Sequence, residues 1–219
     1  MTSFNLKLIA LATMLIDHTG LALSSIADTF FMRVIGRVAF PVFAFLIAEG
    51  CRNTSDIRKY MLRLGIFALI SEIPFDLLRS GRIFDPTAQN IFFTLFLGVA
   101  AIWLYECAMS KNLPWALGIF ACIPFAVVAY LMKTDYAAYG VMAIFVCYVF
   151  KTRFQQAAAL GLVMFLLYQQ SILSLAVIPA LLLILLYNGR LGIKMKMAFY
   201  IVYPTHLLAL AYIRYFVII

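Results

Sequence analysis

The chain has 219 residues, 66% of them hydrophobic and only 12% charged, with a formal net charge of +8 and a mean hydropathy of +1.03. Soluble domains carry about twice that charge and roughly 45–50% apolar residues, so a soluble globular enzyme is excluded. Apolar runs that are continuous rather than alternating exclude a β-barrel. The absence of a basic stripe with interleaved aromatics argues against a nucleic-acid partner. At about 20 residues per span, the expectation is an all-α polytopic membrane protein. It would be a bundle of about nine transmembrane helices, within a range of eight to ten, forming a single domain over residues 1–219.

In chain order, the first apolar run covers about 5–26 and holds Asp17 and His18 near its middle. It is full length and lacks a small-residue cleavage site, so it reads as a retained span rather than a removable signal. A polar turn at 27–33 leads to a second run at about 34–51, with Arg37 near its start and Glu49 at its end. The 52–63 segment carries Arg52, Arg58, Lys59 and Arg63 and reads as a short surface helix behind an Asn53-Thr54 cap. A third run at about 62–78 contains Glu72, Pro74 and Asp76. Pro74 is expected to kink it and to free the carbonyl one turn back, at Ile70.

After a loop at 79–90, runs follow at about 91–109, 115–132 and 136–150. The stretch from Phe154 to Tyr187 would be roughly 50 Å long as one helix, far beyond a ~30 Å apolar core. Gln169-Gln170-Ser171 is expected to divide it into two shorter helices. A loop at 188–196 precedes the last run, about 197–217, which holds Tyr203-Pro204-Thr205-His206. Placing the N-terminus in the cytoplasm puts Lys7, the basic residues of 52–63, Lys111, Lys151, Arg153, Arg190, Lys194 and Lys196 inside. Only Arg33, Arg79, Arg82 and Lys133 then lie outside, as the positive-inside rule requires. Cys51, Cys107, Cys122 and Cys147 have no paired spacing and read as structural thiols. With two histidines in the chain, no metal centre is expected.

A single Asp at the centre of a transmembrane helix costs roughly 2.5–3.5 kcal/mol. Counting about 1.5 Å per residue from the cytoplasmic end of each helix places Asp17, His18, Arg37, Glu72, Asp76 and His206 at about 14–21 Å. Six costly side chains from four helices thus share one slab, where they must be paired or watered inside the bundle. A buried lattice that only fixes packing is one reading, but it has no use for two histidines, and buried ion pairs are poor sources of stability. Histidine is the side chain suited to proton chemistry near neutral pH. Asp17 and His18 point about 100° apart on their helix, so Asp17 is free to answer Arg37 while a carboxylate from another helix orients the ring. Glu49 reads equally as a cap or a partner to Arg52.

Asp17-His18-x-Gly20, the run Ile35-Gly36-Arg37-Val38-Ala39-Phe40-Pro41-Val42-Phe43-Ala44-Phe45 and Glu49-Gly50 resemble the TraX family of pilin acetylases. So do Tyr60-x-x-Arg63-Leu64, Ser71-Glu72-Ile73-Pro74-Phe75-Asp76, Asn90-x-Phe92-Phe93-Thr94, Asp135-Tyr136-x-x-Tyr139-Gly140 and Tyr203-Pro204-x-His206-Leu207. The resemblance implies a membrane acyltransferase of the bacterial inner membrane. Acetyl-CoA would be the co-substrate, with no bound cofactor, and the acceptor would be an amine or hydroxyl, either the N-terminus of a pilin or another cell-envelope molecule.

In that chemistry His18 is the candidate base, and direct transfer is favoured over an acetyl-His18 intermediate. Glu72 or Asp76 would orient the ring, with Asp17 balancing charge. Arg37 is a donor fork for a thioester carbonyl, a CoA phosphate or a catalytic carboxylate. Asn90 and Tyr203 would give neutral hydrogen bonds to substrate, and His206 would bind acceptor or hold the network. Arg52 and Arg63 suit the nucleotide phosphates of CoA, or else anchor the chain to anionic membrane lipid. Two other classes fit the same buried charges. A proton-coupled carrier would move substrate in sealed liposomes without consuming acetyl-CoA. A b-type cytochrome would use His18 and His206 as axial ligands.

Overall fold

The computed structural model describes all residues except Gln170, Lys194, Met195 and Ile219, together with the side chains of Trp115, Ala116, Ile172, Lys196 and Ile218. Lys194 and the Lys196 side chain, counted above for orientation, and Gln170 of the expected break therefore lie outside the described residues. Among the described residues eleven α-helices follow one another: α1 Ser3–Leu23, α2 Phe30–Gly36, α3 Ala39–Asn53, α4 Ile57–Ser80, α5 Ile91–Ser110, α6 Trp115–Gly118, α7 Cys122–Leu131, α8 Ala137–Val149, α9 Arg153–Tyr168, α10 Ile178–Leu185 and α11 Lys196–Tyr212. Short 3-10 turns at Ile119–Ala121 and Ile172–Val177 lead into α7 and α10, and wider π-type turns at Ile213–Ile218 extend α11. No strand occurs among the described residues. An isolated bridge joins Gln89 to Thr134.

The all-helical expectation holds, and among the described residues three stretches are long and apolar enough to cross a membrane: Ser3–Leu23, Phe30–Asn53 and Ile91–Ser110. Several expected boundaries move, each for a local reason. The second span begins at Phe30, inside the expected polar turn, because the Asp28 side chain accepts from the Phe30 amide at 3.0 Å and starts the helix. The basic 52–63 segment is not a separate surface helix: Arg52 lies in the last turn of α3, and Arg58, Lys59 and Arg63 lie in the first turns of α4. Asp56 caps α4, accepting from the Lys59 amide at 3.0 Å, in place of the expected Asn53-Thr54. That amide, above all, holds the Asp56 carboxyl below the usual aspartate range. The cap is therefore at full strength at neutral pH and weakens as pH falls through the lowered value. Pro74 lies inside α4 without ending it. The expected helix at 115–132 is divided by its 3-10 turn between α6 and α7.

The described residues form two compact units, Met1–Phe43 with Leu69–Pro86 and Tyr168–Ile219, and Ala44–Ala68 with Thr87–Leu167. In the first, α1 packs on α2 and α11. The Ser3 and Phe4 amides, orphaned at a helix start, donate to the carbonyls of Arg190 and Leu191 at 2.8 and 3.1 Å. In the second, α5 packs against α7 and α8, with Gly98 of α5 tight against Ile144. Phe120, Leu131, Phe154 and Leu162 are exposed, as fits a chain whose surrounding solvent is hydrocarbon.

Asn90 belongs to this scaffold. Fully buried, it caps α5 by accepting from the Phe92 amide at 3.0 Å and donates to the Ala68 carbonyl of α4 at 2.7 Å. Asn90→Ala is expected to lower stability by about 1–3 kcal/mol, since a cap is lost and a buried amide is orphaned. A thermal-unfolding shift in detergent reads this out.

Candidate functional site

Two of the residues that interrupt α1 are held by different neighbours, all within the first unit. Arg33 Nη1 donates to Asp17 Oδ2 at 2.7 Å and to the Asp17 carbonyl at 3.2 Å, and Arg37 Nη2 donates to Asp17 Oδ1 at 2.8 Å. Arg33 of α2 and Arg37, its C-cap residue, are four residues apart and so share one helical face. Arg37 Nε also donates to the Arg33 carbonyl at 3.1 Å, which holds the two forks side by side. Gly36 makes this approach possible: a Cβ there would overlap the Asp17 side chain. One carboxylate between two guanidiniums leaves a local charge of +1.

His18 points about 100° further round the helix and meets a different neighbour. Its Nδ1 lies 2.7 Å from His206 Nε2, with ring centroids 4.9 Å apart and planes 18° from parallel. His206 Nδ1 is 2.7 Å from the Val202 carbonyl, one turn back on α11. Tyr203, buried, presents its ring edge-on to both imidazoles, at 5.9 Å from His18 and 5.6 Å from His206. The direct contact of the two ring nitrogens is shorter than the span two ~2 Å metal–nitrogen bonds would need, which counts against the pair as axial haem ligands.

Neither Glu72 nor Asp76 touches the His18 ring among the described residues; the partner is His206 where the sequence suggested a carboxylate. The two acids do share a face of α4, four residues apart. Asp76 is fully buried; its Oδ2 accepts from the Asp85 amide at 2.8 Å, while its Oδ1 has no hydrogen-bond partner among the described residues. Asp85 in turn pairs with Arg79 at 3.0 Å.

In the second unit, Arg52 is spent on structure. It pairs with Glu49 and donates to the carbonyls of Cys147, Tyr148 and Phe150 at 2.7, 2.6 and 2.9 Å, capping the C-terminus of α8. Glu49 also receives Arg153 at 3.1 and 3.2 Å, so its reading as a partner to Arg52 stands. The donors expected for a CoA phosphate are thus engaged at Arg52, whereas Arg63 is exposed beside the Tyr60 ring, 5.7 Å from its centroid.

Sequence reasoning missed Arg33, which it placed in an outer turn. The signal was its four-residue spacing from Arg37, which puts both on one helical face once α2 is taken to start before Arg33. It also missed Asp85, which sits on a loop that folds back to meet Asp76 and Arg79 of α4.

Comparison with known proteins places these residues in a lineage. The family model described as "TraX protein" matches residues 3–214. A "Probable fimbrial assembly protein FimC, serogroup H1" from Dichelobacter nodosus is 31% identical over 98% of this chain and 96% of its own length. No solved structure matches. With the family model covering nearly the whole length, including every residue of the Asp17 and His18 clusters, the chain belongs to the TraX protein family.

Proposed function

We propose that the protein is an acetyltransferase of the bacterial inner membrane that moves acetyl from acetyl-CoA to an amine, the N-terminus of a pilin being the first candidate. The observation that carries this reading is the His18–His206 contact at 2.7 Å, set beside a carboxylate whose charge is already answered by two arginines. A base is therefore present, and its proton affinity is not governed by a paired acid. The pilin acceptor rests on the family and on the fimbrial-assembly name of the D. nodosus relative.

In this reaction the acceptor nitrogen attacks the thioester carbonyl and gives its proton to His18. The net positive charge of the Asp17–Arg33–Arg37 group favours the oxyanion that develops. Collapse of that oxyanion breaks the C–S bond, and the thiolate takes the proton back from His18. Arg37→Ala removes half of the charge facing Asp17 and is expected to lower kcat by roughly 10²–10³-fold, the loss typical of one oxyanion-stabilising donor. Membrane insertion is expected to be retained, because Arg33 still neutralises Asp17.

The test is incubation of membranes containing the protein with pilin and labelled acetyl-CoA. Label is expected on the pilin α-amine. Wild-type membranes that leave every acceptor unlabelled would sink the reading.

A further inference from the structure

The tautomers of the two histidines follow from the partners at the end of their chain. The Val202 carbonyl is an acceptor only, so the 2.7 Å contact requires His206 Nδ1 to carry its proton. In a neutral ring the other nitrogen, His206 Nε2, is then a lone pair. The 2.7 Å contact to that lone pair requires His18 Nδ1 to carry a proton in turn. His18 Nε2 is left unprotonated, and among the described residues it has no hydrogen-bond partner. A backbone carbonyl at one end of the chain therefore decides which atom is basic at the other.

We propose that His206 is a positioning residue which, anchored on the Val202 carbonyl, fixes His18 in the tautomer whose Nε2 is the proton acceptor. The arrangement has the logic of a nucleophile–base–orienter triad, with an imidazole and a peptide carbonyl in the place an acid usually takes. A carboxylate orienter would bring a full negative charge into the apolar interior, whereas an imidazole–carbonyl pair orients the ring while staying neutral. The nearly parallel rings, 18° apart, align the Nδ1–H of His18 with the lone pair of His206 in their common plane.

The same line of hydrogen bonds gives the proton somewhere to go. When His18 Nε2 takes the acceptor's proton, the Nδ1 proton can pass to His206 Nε2, moving the positive charge one ring away from the reacting atoms. As His18 Nε2 gives that proton to the departing thiolate, His206 Nε2 hands its own proton back to His18 Nδ1 across the same contact, and both rings end neutral in their starting tautomers. Nothing is oxidised or reduced: one C–N bond forms, one C–S bond breaks, and the proton ends on sulfur. The catalytic consequence rests on the acetyltransferase reading; the tautomer itself does not.

Two measurements therefore separate the ideas. The chain holds two histidines, so membranes labelled with [15N]histidine report the four ring nitrogens of this pair by solid-state NMR. In the neutral pair both Nδ1 atoms are expected to be protonated and both Nε2 atoms bare. A protonated His18 Nε2 in that state overturns the proposal whatever the enzyme's activity. Kinetically, His206→Leu is expected to lower kcat by roughly 10²–10⁴-fold, the usual scale of general-base catalysis, with the KM for acetyl-CoA unchanged. His206→Gln keeps an acceptor oxygen and is expected to recover most of that loss. A Leu variant at the wild-type rate, or a Gln variant no better than Leu, overturns it. Wild-type membranes without acetyl transfer would overturn the reaction assigned above, while the NMR result still decides the tautomer.

Discussion

Replacing His18 by Ala is expected to cut acetyl transfer by roughly 10²–10⁴-fold, because no other group in its cluster can take the acceptor's proton. Asp17 is held by Arg33 and Arg37 at 2.7 and 2.8 Å, so both its oxygens are engaged. His206 presents its one lone pair to His18 and its N–H to Val202. The variant should still insert and fold, since His18 is only half-buried and its loss leaves His206 Nε2 as the sole orphaned atom. That cost is about 1–3 kcal/mol, readable as a modest thermal shift in detergent. Added imidazole should restore part of the rate by occupying the vacated space. Normal turnover in His18→Ala would falsify the assignment of the base.

The largest structural effect is expected from Gly36→Ala. A Cβ at this position overlaps Oδ1, Cβ and Cγ of Asp17, and all three are anchored on a helix rather than on a mobile tail. Helices α1 and α2 must therefore separate, and both ion pairs of Asp17 open together. Opening pairs between partly buried groups leaves the Asp17 charge uncompensated and costs less than the roughly 3–5 kcal/mol of a fully buried pair. Activity is expected to fall with stability, because α1 carries His18 one residue beyond Asp17. Gly65→Ala is the matched control. Its Cβ would meet Phe96 at 3.6 Å, an ordinary contact, and the helix gains roughly 0.5–1 kcal/mol from losing an interior glycine. If the two alanine variants unfold at the same temperature, the close approach at Gly36 is not what holds α1 to α2.

Much of the fold was legible because a membrane makes sequence unusually informative. Backbone groups in hydrocarbon must bond within their own helix, so a run of apolar residues such as 91–109 announces α5, observed at Ile91–Ser110, almost to the residue. Asp17, His18, Arg37 and His206 stood out for the same reason, as charges and imidazoles where Leu would be cheaper. The pairing of Asp17 with Arg37 was legible too, because only a cation offsets a buried carboxylate. Boundaries set by polar side chains were less so. Asp28 starting α2 and Asp56 starting α4 depend on one hydrogen bond each, and apolar periodicity does not register such bonds.

From the sequence alone came the helical class, the membrane as solvent, the family, and the list of costly residues. Their depth could be counted because rise per residue is constant along a helix. Which of them touch could not, since contact depends on the rotation of each helix about its axis and on close approaches such as Gly36 against Asp17. Only the tertiary structure gave His18 an imidazole partner in place of Glu72 or Asp76, added Arg33 to the site, and spent Arg52 and Asn90 on the scaffold. The physical reason is the same in each case: hydrogen bonds fail beyond about 3.5 Å, so partner choice is decided by ångström-scale packing rather than by residue type.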